Sequence, residues 1–521
     1  MSEPEESGAV PVPPSGCPAH GRTGPAPLHT PEFGRDPFAV YQRLREAHGP
    51  LVPVELDPGV TATLCVGYDT ALEILRRPET FSKDPRRWRA DNEGRVPDTS
   101  HAKQMIRYQL TATAADGEEH RRYRAAIDDS TSRIDPGALR GYVERIADSL
   151  IDQFIRAGEA DLVAEYGALL PLLALGELFG CPPEIADRLF TAVAQFFDGT
   201  DVGSAERVIA TALQELIDRK RAQPGADVTS WLIAHPERLT DEELIEQLGL
   251  LMAVGSEPVI NLIGNALRVL LTDERFAGGL SGGSILVEDA LDEVLWTDPP
   301  LANLAVHFPR RDVDLAGVRL REGEPIVISF AGANQDALRR SDRKQGNRAH
   351  LAFGAGPHTC PGRSSARLIS AVAIERLLDR LPDVALATPP ERLEWRPGIY
   401  QRGLVALPVR FPVLREEAPV LREDAEDSAL ADGAWGATSE PPAAPSAPEP
   451  PAAPSAPEPP AAPSAPEPPA APSAPESPAA RAPAPVPTWA EEAEREAADP
   501  GRSARPSVLG ALRRWLRRRS R

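Results

Sequence analysis

The sequence predicts a mainly α-helical domain with short strands on either side of the helical middle, followed by a long extension without regular structure. Three observations predict it. Apolar residues recur at helical spacing from residue 118 to about 271, as in L-R-G-Y-V-E-R-I-A-D-S-L-I-D-Q-F. Strand-like alternation is confined to short stretches at 51–65, 313–330 and 404–411. Beyond Pro412 the composition changes abruptly to proline, alanine and serine.

In chain order, residues 1–30 are rich in proline and glycine and read as a disordered N-terminus. Residues 31–413 read as one domain. It opens with a helix after Asp36 (P-F-A-V-Y-Q-R-L), then a strand pair over 51–65 that turns at Pro58 and Gly59. The apolar stretch 244–271 is interrupted by Glu246, Glu257, Asn261 and Asn265, which predicts a buried core helix rather than a membrane span. Residues 414–500 read as a disordered linker in which P-P-A-A-P-S-A-P-E occurs four times, from 441, 450, 459 and 468. Proline at that density favours extended polyproline II, so the repeats would span on the order of 110 Å. Residues 501–521 carry eight arginines and no acid. Val508, Leu509, Leu512, Trp515 and Leu516 share one helical face there, a basic amphipathic pattern suited to an anionic membrane surface. A tail that folds back on the acidic body, or binds another polyanion, reads the same way.

A formal charge of -20 argues against nucleic-acid binding. Cys17, Cys65, Cys181 and Cys360 are too widely spaced for a disulfide framework or a zinc site, which fits a reducing cytoplasm. The acidic N-terminus has no apolar signal-peptide core.

The most informative stretch is 353–362, F-G-A-G-P-H-T-C-P-G. Cys360 ends a glycine-bent loop directly before a helical segment, where a thiolate is exposed to a flat cofactor and makes a soft ligand for iron. Gly354 and Gly356 allow backbone conformations that a side chain forbids, and Gly362 lets the next helix begin close to the sulfur. This pattern resembles the haem-binding loop of the cytochrome P450 superfamily at every fixed position: Phe353, Gly354, Gly356, His358, Cys360 and Gly362.

The resemblance, to the bacterial soluble class, covers roughly residues 30–413. It implies the cytochrome P450 fold, mostly helix with a small β region at either end, and haem b (iron-protoporphyrin IX) held through Cys360. By the same resemblance His120 and Arg124, four apart on one helix face, meet one haem propionate. His307 stands where the family carries an arginine for the other propionate, and a protonated imidazole would substitute more weakly. His358 completes the set. In the segment A-V-G-S-E-P, Glu257 takes the place of the acid that relays protons to oxygen. Pro258 stands where the family has threonine, leaving Ser256 as the candidate alcohol. The family's Glu-x-x-Arg ion pair becomes Glu293 and Trp296, as in an atypical subgroup with Glu-x-x-Trp. Removing one partner of a buried pair normally costs about 3–5 kcal/mol. The network is therefore expected to be rebuilt, with Trp296 packing in the guanidinium's place.

These features imply a monooxygenase that inserts one oxygen atom from O2 into a small organic substrate. Electrons would come from a ferredoxin and ferredoxin reductase, steered by Arg339, Arg340, Arg343, Lys344 and Arg348. The substrate pocket is expected from residues 86–108 and 181–223. Two other readings stay open. Trp296, Pro258 and the extension suit a haem-binding scaffold or regulatory partner, beside a small GTPase, in a membrane-associated signalling complex. Peroxide-driven oxidation would bypass the electron partner. The expected location is cytoplasmic, with peripheral contact at the inner face of the cell membrane through 501–521.

Overall fold

The structure, a computed structural model, describes residues 24–197, 202–277, 284–340 and 346–413. The expected linker, the repeats and the basic C-terminal segment lie outside the described residues, as does most of the expected disordered N-terminus. Residues 24–30 correct that boundary. Ala26–Pro27 forms a parallel strand beside Leu51–Asp57, and Leu28 is buried and donates its N–H to Glu55 O at 2.9 Å. Proline is tolerated there because the strand lies at the sheet edge.

Among the described residues the β part comprises sheets of six, three and two strands, and the six-stranded one bears on the site. Its order is Ala26–Pro27, Leu51–Asp57, Val60–Cys65, Ile326–Ser329, Asn303–Pro309 and Phe81–Ser82. The expected hairpin turns at Gly59, whose positive φ of 80° and N–H bond to Glu55 explain the glycine. The sheet joins the first strands of the chain to strands some 260 residues later, Thr63 lying opposite Ile326.

The helical part is built on Asp241–Thr272, a 32-residue helix opened by a capping box between Thr240 and Glu243. By length and composition it is apolar enough to cross a membrane, yet it runs through the largest hydrophobic core. Around it pack Gly117–Ser132, Pro136–Phe154, Leu169–Leu178, Ser284–Thr297 and Arg363–Arg380. Glu243 also ties the helix start to Gly117–Ser132, accepting from Arg122 and, at 3.0 Å, from Tyr123.

Three of the four polar residues that interrupt the long helix, Glu257, Asn261 and Asn265, follow a stripe with four-residue spacing, and each bonds to the segment 396–402. Glu257 pairs with Arg396; Asn261 donates to Gln401 at 3.3 Å; Asn265 donates to Arg402 O at 3.0 Å and to Asp298 O at 3.2 Å. Gly403 permits this close approach, because a Cβ there would lie 1.9 Å from Asn261 Oδ1. Gly403→Ala is therefore expected to destabilise the domain by about 1–3 kcal/mol through overpacking, read as a lower urea midpoint. An unchanged midpoint would mean that the segment is not held against the helix.

Candidate active site

Cys360 is the exposed thiol among the described residues, whereas Cys65 is buried and burial pushes both Cys65 and Cys181 up to about 12. The loop that presents Cys360 is closed on itself. Cys360 N–H donates to Phe353 O at 2.9 Å, Gly354 N–H to Leu351 O at 2.8 Å, and Thr359 Oγ1 to Gly356 O at 2.8 Å. Gly354 and Gly356 have φ of 69° and 72°, as the sequence requires, and a Cβ on Gly356 would strike Leu75 O at 2.3 Å. Gly362 takes an ordinary φ at the N-cap of Arg363–Arg380, with its Cβ direction 4.0 Å from the Cys360 sulfur. Cys360 has accessible surface, yet the protein crowded around it desolvates the sulfur and raises the thiol, while the Gly362 N–H, Arg124 and Arg363 pull it back toward thiolate.

Behind the loop the expected rebuilding has taken a definite form. Glu288, Asp292 and Trp296 share one face of Ser284–Thr297. Asp292 pairs with Arg367 at 2.6 Å and with Arg348 at 3.0 Å, and Glu288 reaches the same two arginines. Arg348 lies before the loop and Arg367 after it, so one pair of carboxylates clamps both ends. Trp296 Nε1 donates to Asn347 O at 2.6 Å, and its ring meets His350 edge-on, which in turn contacts Phe353. Glu293, expected to be orphaned, instead bonds at the other side of the helix to Arg275 at 3.4 Å.

The candidate propionate ligands converge, with one correction at His307. His120 and His358 rings lie 4.0 Å apart, and the buried His120 Nε2 has no hydrogen-bond partner. Arg124 spends its guanidinium on Asp128 at 2.9 Å and on Thr359 O at 2.7 Å, so it braces the loop. His307 is not an imidazolium: burial first, then the charge of Lys83, hold its pKa well below the ordinary value. Lys83 is the group that the sequence reading missed. Its signal was faint, a lone lysine just past a two-residue strand.

Two further observations concern charge and hydroxyl. Ser256 donates its hydroxyl to Ala253 O at 3.1 Å, bonding its own helix one turn back. In the expected basic docking patch, Arg339 pairs with Glu46, Arg340 with Asp69 and Asp336, and Arg348 with the clamp. Arg343 and Lys344 lie outside the described residues.

No family model matches the chain. Known proteins do. It is 33% identical to cytochrome P450 monooxygenase PikC of Streptomyces venezuelae over 401 residues, 74% of this chain and 93% of that one. The chain belongs to the cytochrome P450 superfamily. It is also 30% identical to cytochrome P450 107B1 of Saccharopolyspora erythraea, over 73% of this chain and 96% of the relative. Among solved structures, testosterone-bound CYP154C4 from Streptomyces sp. ATCC 11861 superposes with a TM-score of 0.69 at 28% identity, over 75% of this chain and 99% of that one. This P450 is an oxidoreductase of the monooxygenase class, and its cofactor is haem b. The residues present fit that cofactor: an exposed thiol on a rigid loop, and basic groups around an orphaned His120 nitrogen suited to carboxylates.

Arg367→Met should leave Asp292 and Glu288 with Arg348 alone and cost about 3 kcal/mol, seen as a lower unfolding midpoint together with loss of the thiolate-type spectrum. Retention of both would remove the clamp from the account of the P450. A pH effect follows from His350, buried with both ring nitrogens unpartnered and lowered to about 4 by burial and Arg363. The unfolded chain binds this proton more readily, so stability should fall as pH drops from about 6.5 toward 4. His350→Phe should flatten that part of the profile; an unaltered slope would exclude His350 as its source.

Proposed function

We propose that this P450 oxidises a small organic molecule, with electrons supplied by a ferredoxin and its reductase in the cytoplasm. The observation that carries the reading is the Cys360 thiol, held open to a cofactor by a loop clamped at both ends. Bound haem supplies oxygen activation and transfer of one oxygen atom to the substrate. Beside the loop a cleft of about 570 Å³ runs along Pro361, with Asp128, Thr131, Ser132, Ser364 and Ser365 in its lining.

On the family's distal side, Glu257 is the residue we propose to move protons, through Oε1. Arg396 Nη1 bonds that oxygen and aims the carboxylate between turnovers. Gly255 and Pro258 flank this stretch of the helix, and proline removes the N–H that Val254 O would otherwise accept. Proton supply then rests on Glu257 and water, without a neighbouring alcohol.

The clamp at Arg348 and Arg367 weakens the case for a scaffold, because loss of the family's buried pair was a main reason to suspect one. The membrane and small-GTPase readings rest on residues 501–521 and on the subgroup resemblance, and nothing in the described residues adds to them.

The protein should give the red-shifted Soret band of a reduced carbon monoxide complex, and Cys360→Ser should lose it. With ferredoxin, reductase and NADPH, a candidate substrate should yield a product one oxygen heavier. NADPH consumption without any product across a substrate panel would favour the scaffold instead. Glu257→Gln should lower coupled product formation by roughly a hundredfold while haem binding persists. Full activity in that variant would move the proton route elsewhere.

A further inference from the structure

Lys83 follows the strand Phe81–Ser82, which pairs antiparallel with Asn303–Pro309, Phe81 opposite Pro309 and Ser82 opposite Phe308. Extending that register by one residue puts Lys83 opposite His307, and directly opposed residues project to the same side of a sheet. The Lys83 N–H donates to Asp116 Oδ1 at 3.1 Å, fixing the residue at the start of the helix that carries His120. Lys83 is the leading charge acting on both His307 and His358, and it acts on His120 as well. Four basic side chains, from the Lys83 turn, the Gly117–Ser132 helix, the Asn303–Pro309 strand and the thiolate loop, thus meet at one place. Asp116, the nearby acid, is already engaged by Arg310 at 2.7 Å and by the Ser82 hydroxyl.

We infer that Lys83 binds a haem propionate, supplying the positive charge that the neutral His307 does not. His307 keeps the role of a neutral N–H donor beside it. Burial lowers Lys83 to about 8, so at neutral pH the ammonium still prevails, and a carboxylate at its side favours that form further. A partly desolvated ammonium–carboxylate bond is among the stronger hydrogen bonds available to such a site. The family pattern puts this work at His307; Lys83 brings the charge from a different element.

The test is haem loss from the full-length ferric protein to excess apomyoglobin, measured for wild type, Lys83→Met and Lys83→Arg. Each is loaded either with haem or with haem dimethyl ester, whose propionates carry no charge. Lys83→Met is expected to lose haem about tenfold faster than wild type, with Lys83→Arg close to wild type. With the dimethyl ester all three should release the cofactor at similar rates. An unchanged rate for Lys83→Met with haem overturns the inference. So does equal acceleration with both porphyrins, which would mark the lysine as structural. The carbon monoxide spectrum of each loaded variant reports Cys360 ligation separately, so a failure of the thiolate reading is distinguishable from a failure of Lys83.

Discussion

The structure depends on a small group of charges withdrawn from water. Asp292 and Arg367 are both buried, and with Glu288 and Arg348 they form the joint between the Ser284–Thr297 helix and the two ends of the thiolate loop. A buried ion pair is costly unless its geometry is good and its remaining valences are filled. Here two carboxylates share two guanidiniums, and Trp296 adds a hydrogen bond one turn further along the same helix face. The loop needs such a fixture. Its glycines give it the curvature to present a sulfur, and the same freedom would let it collapse if its ends were not held. Rigidity at Cys360 is imported from a helix that never touches the metal site directly.

On the other side of the long helix, the logic is different. The contacts to residues 395–404 are an amide stripe and one ion pair, supported by Arg402 lying 3.5 Å over the Trp395 ring. Neutral amide bonds hold position without setting up a strong local field. Charge on this side comes from Glu257 and Arg396, at the place where proton chemistry is proposed, and from Arg268, Asp298 and Arg402 beside Asn265. Structure and chemistry are thus assigned to different residues of one stripe.

Much of this was legible in the sequence, for identifiable reasons. The thiolate loop could be read because backbone curvature, ligand and helix start are all encoded within ten neighbouring residues. The first helix, the hairpin at Gly59 and the buried long helix followed from capping, turn chemistry and periodicity. What stayed hidden depends on partners far apart in sequence. Glu288 and Asp292 are four residues apart and suggest a face, yet nothing local names Arg348 or Arg367 as its complement. The Ser256 bond was not legible either, because adjacency in sequence turns a side chain about 100° around a helix, and a short hydroxyl there reaches its own backbone. Lys83 escaped because its importance lies in what stands across the sheet from it.

The Asn261 and Asn265 attachments carry one more implication. A segment sewn to the central rod at successive turns cannot swing outward by itself, so the roof that it forms is a fixed wall. Val202–Ala222 is fastened to the same rod differently, by a single ion pair at the rod's first residue, Arg221 with Asp241. One neighbour is pinned along the rod's length and the other at its tip.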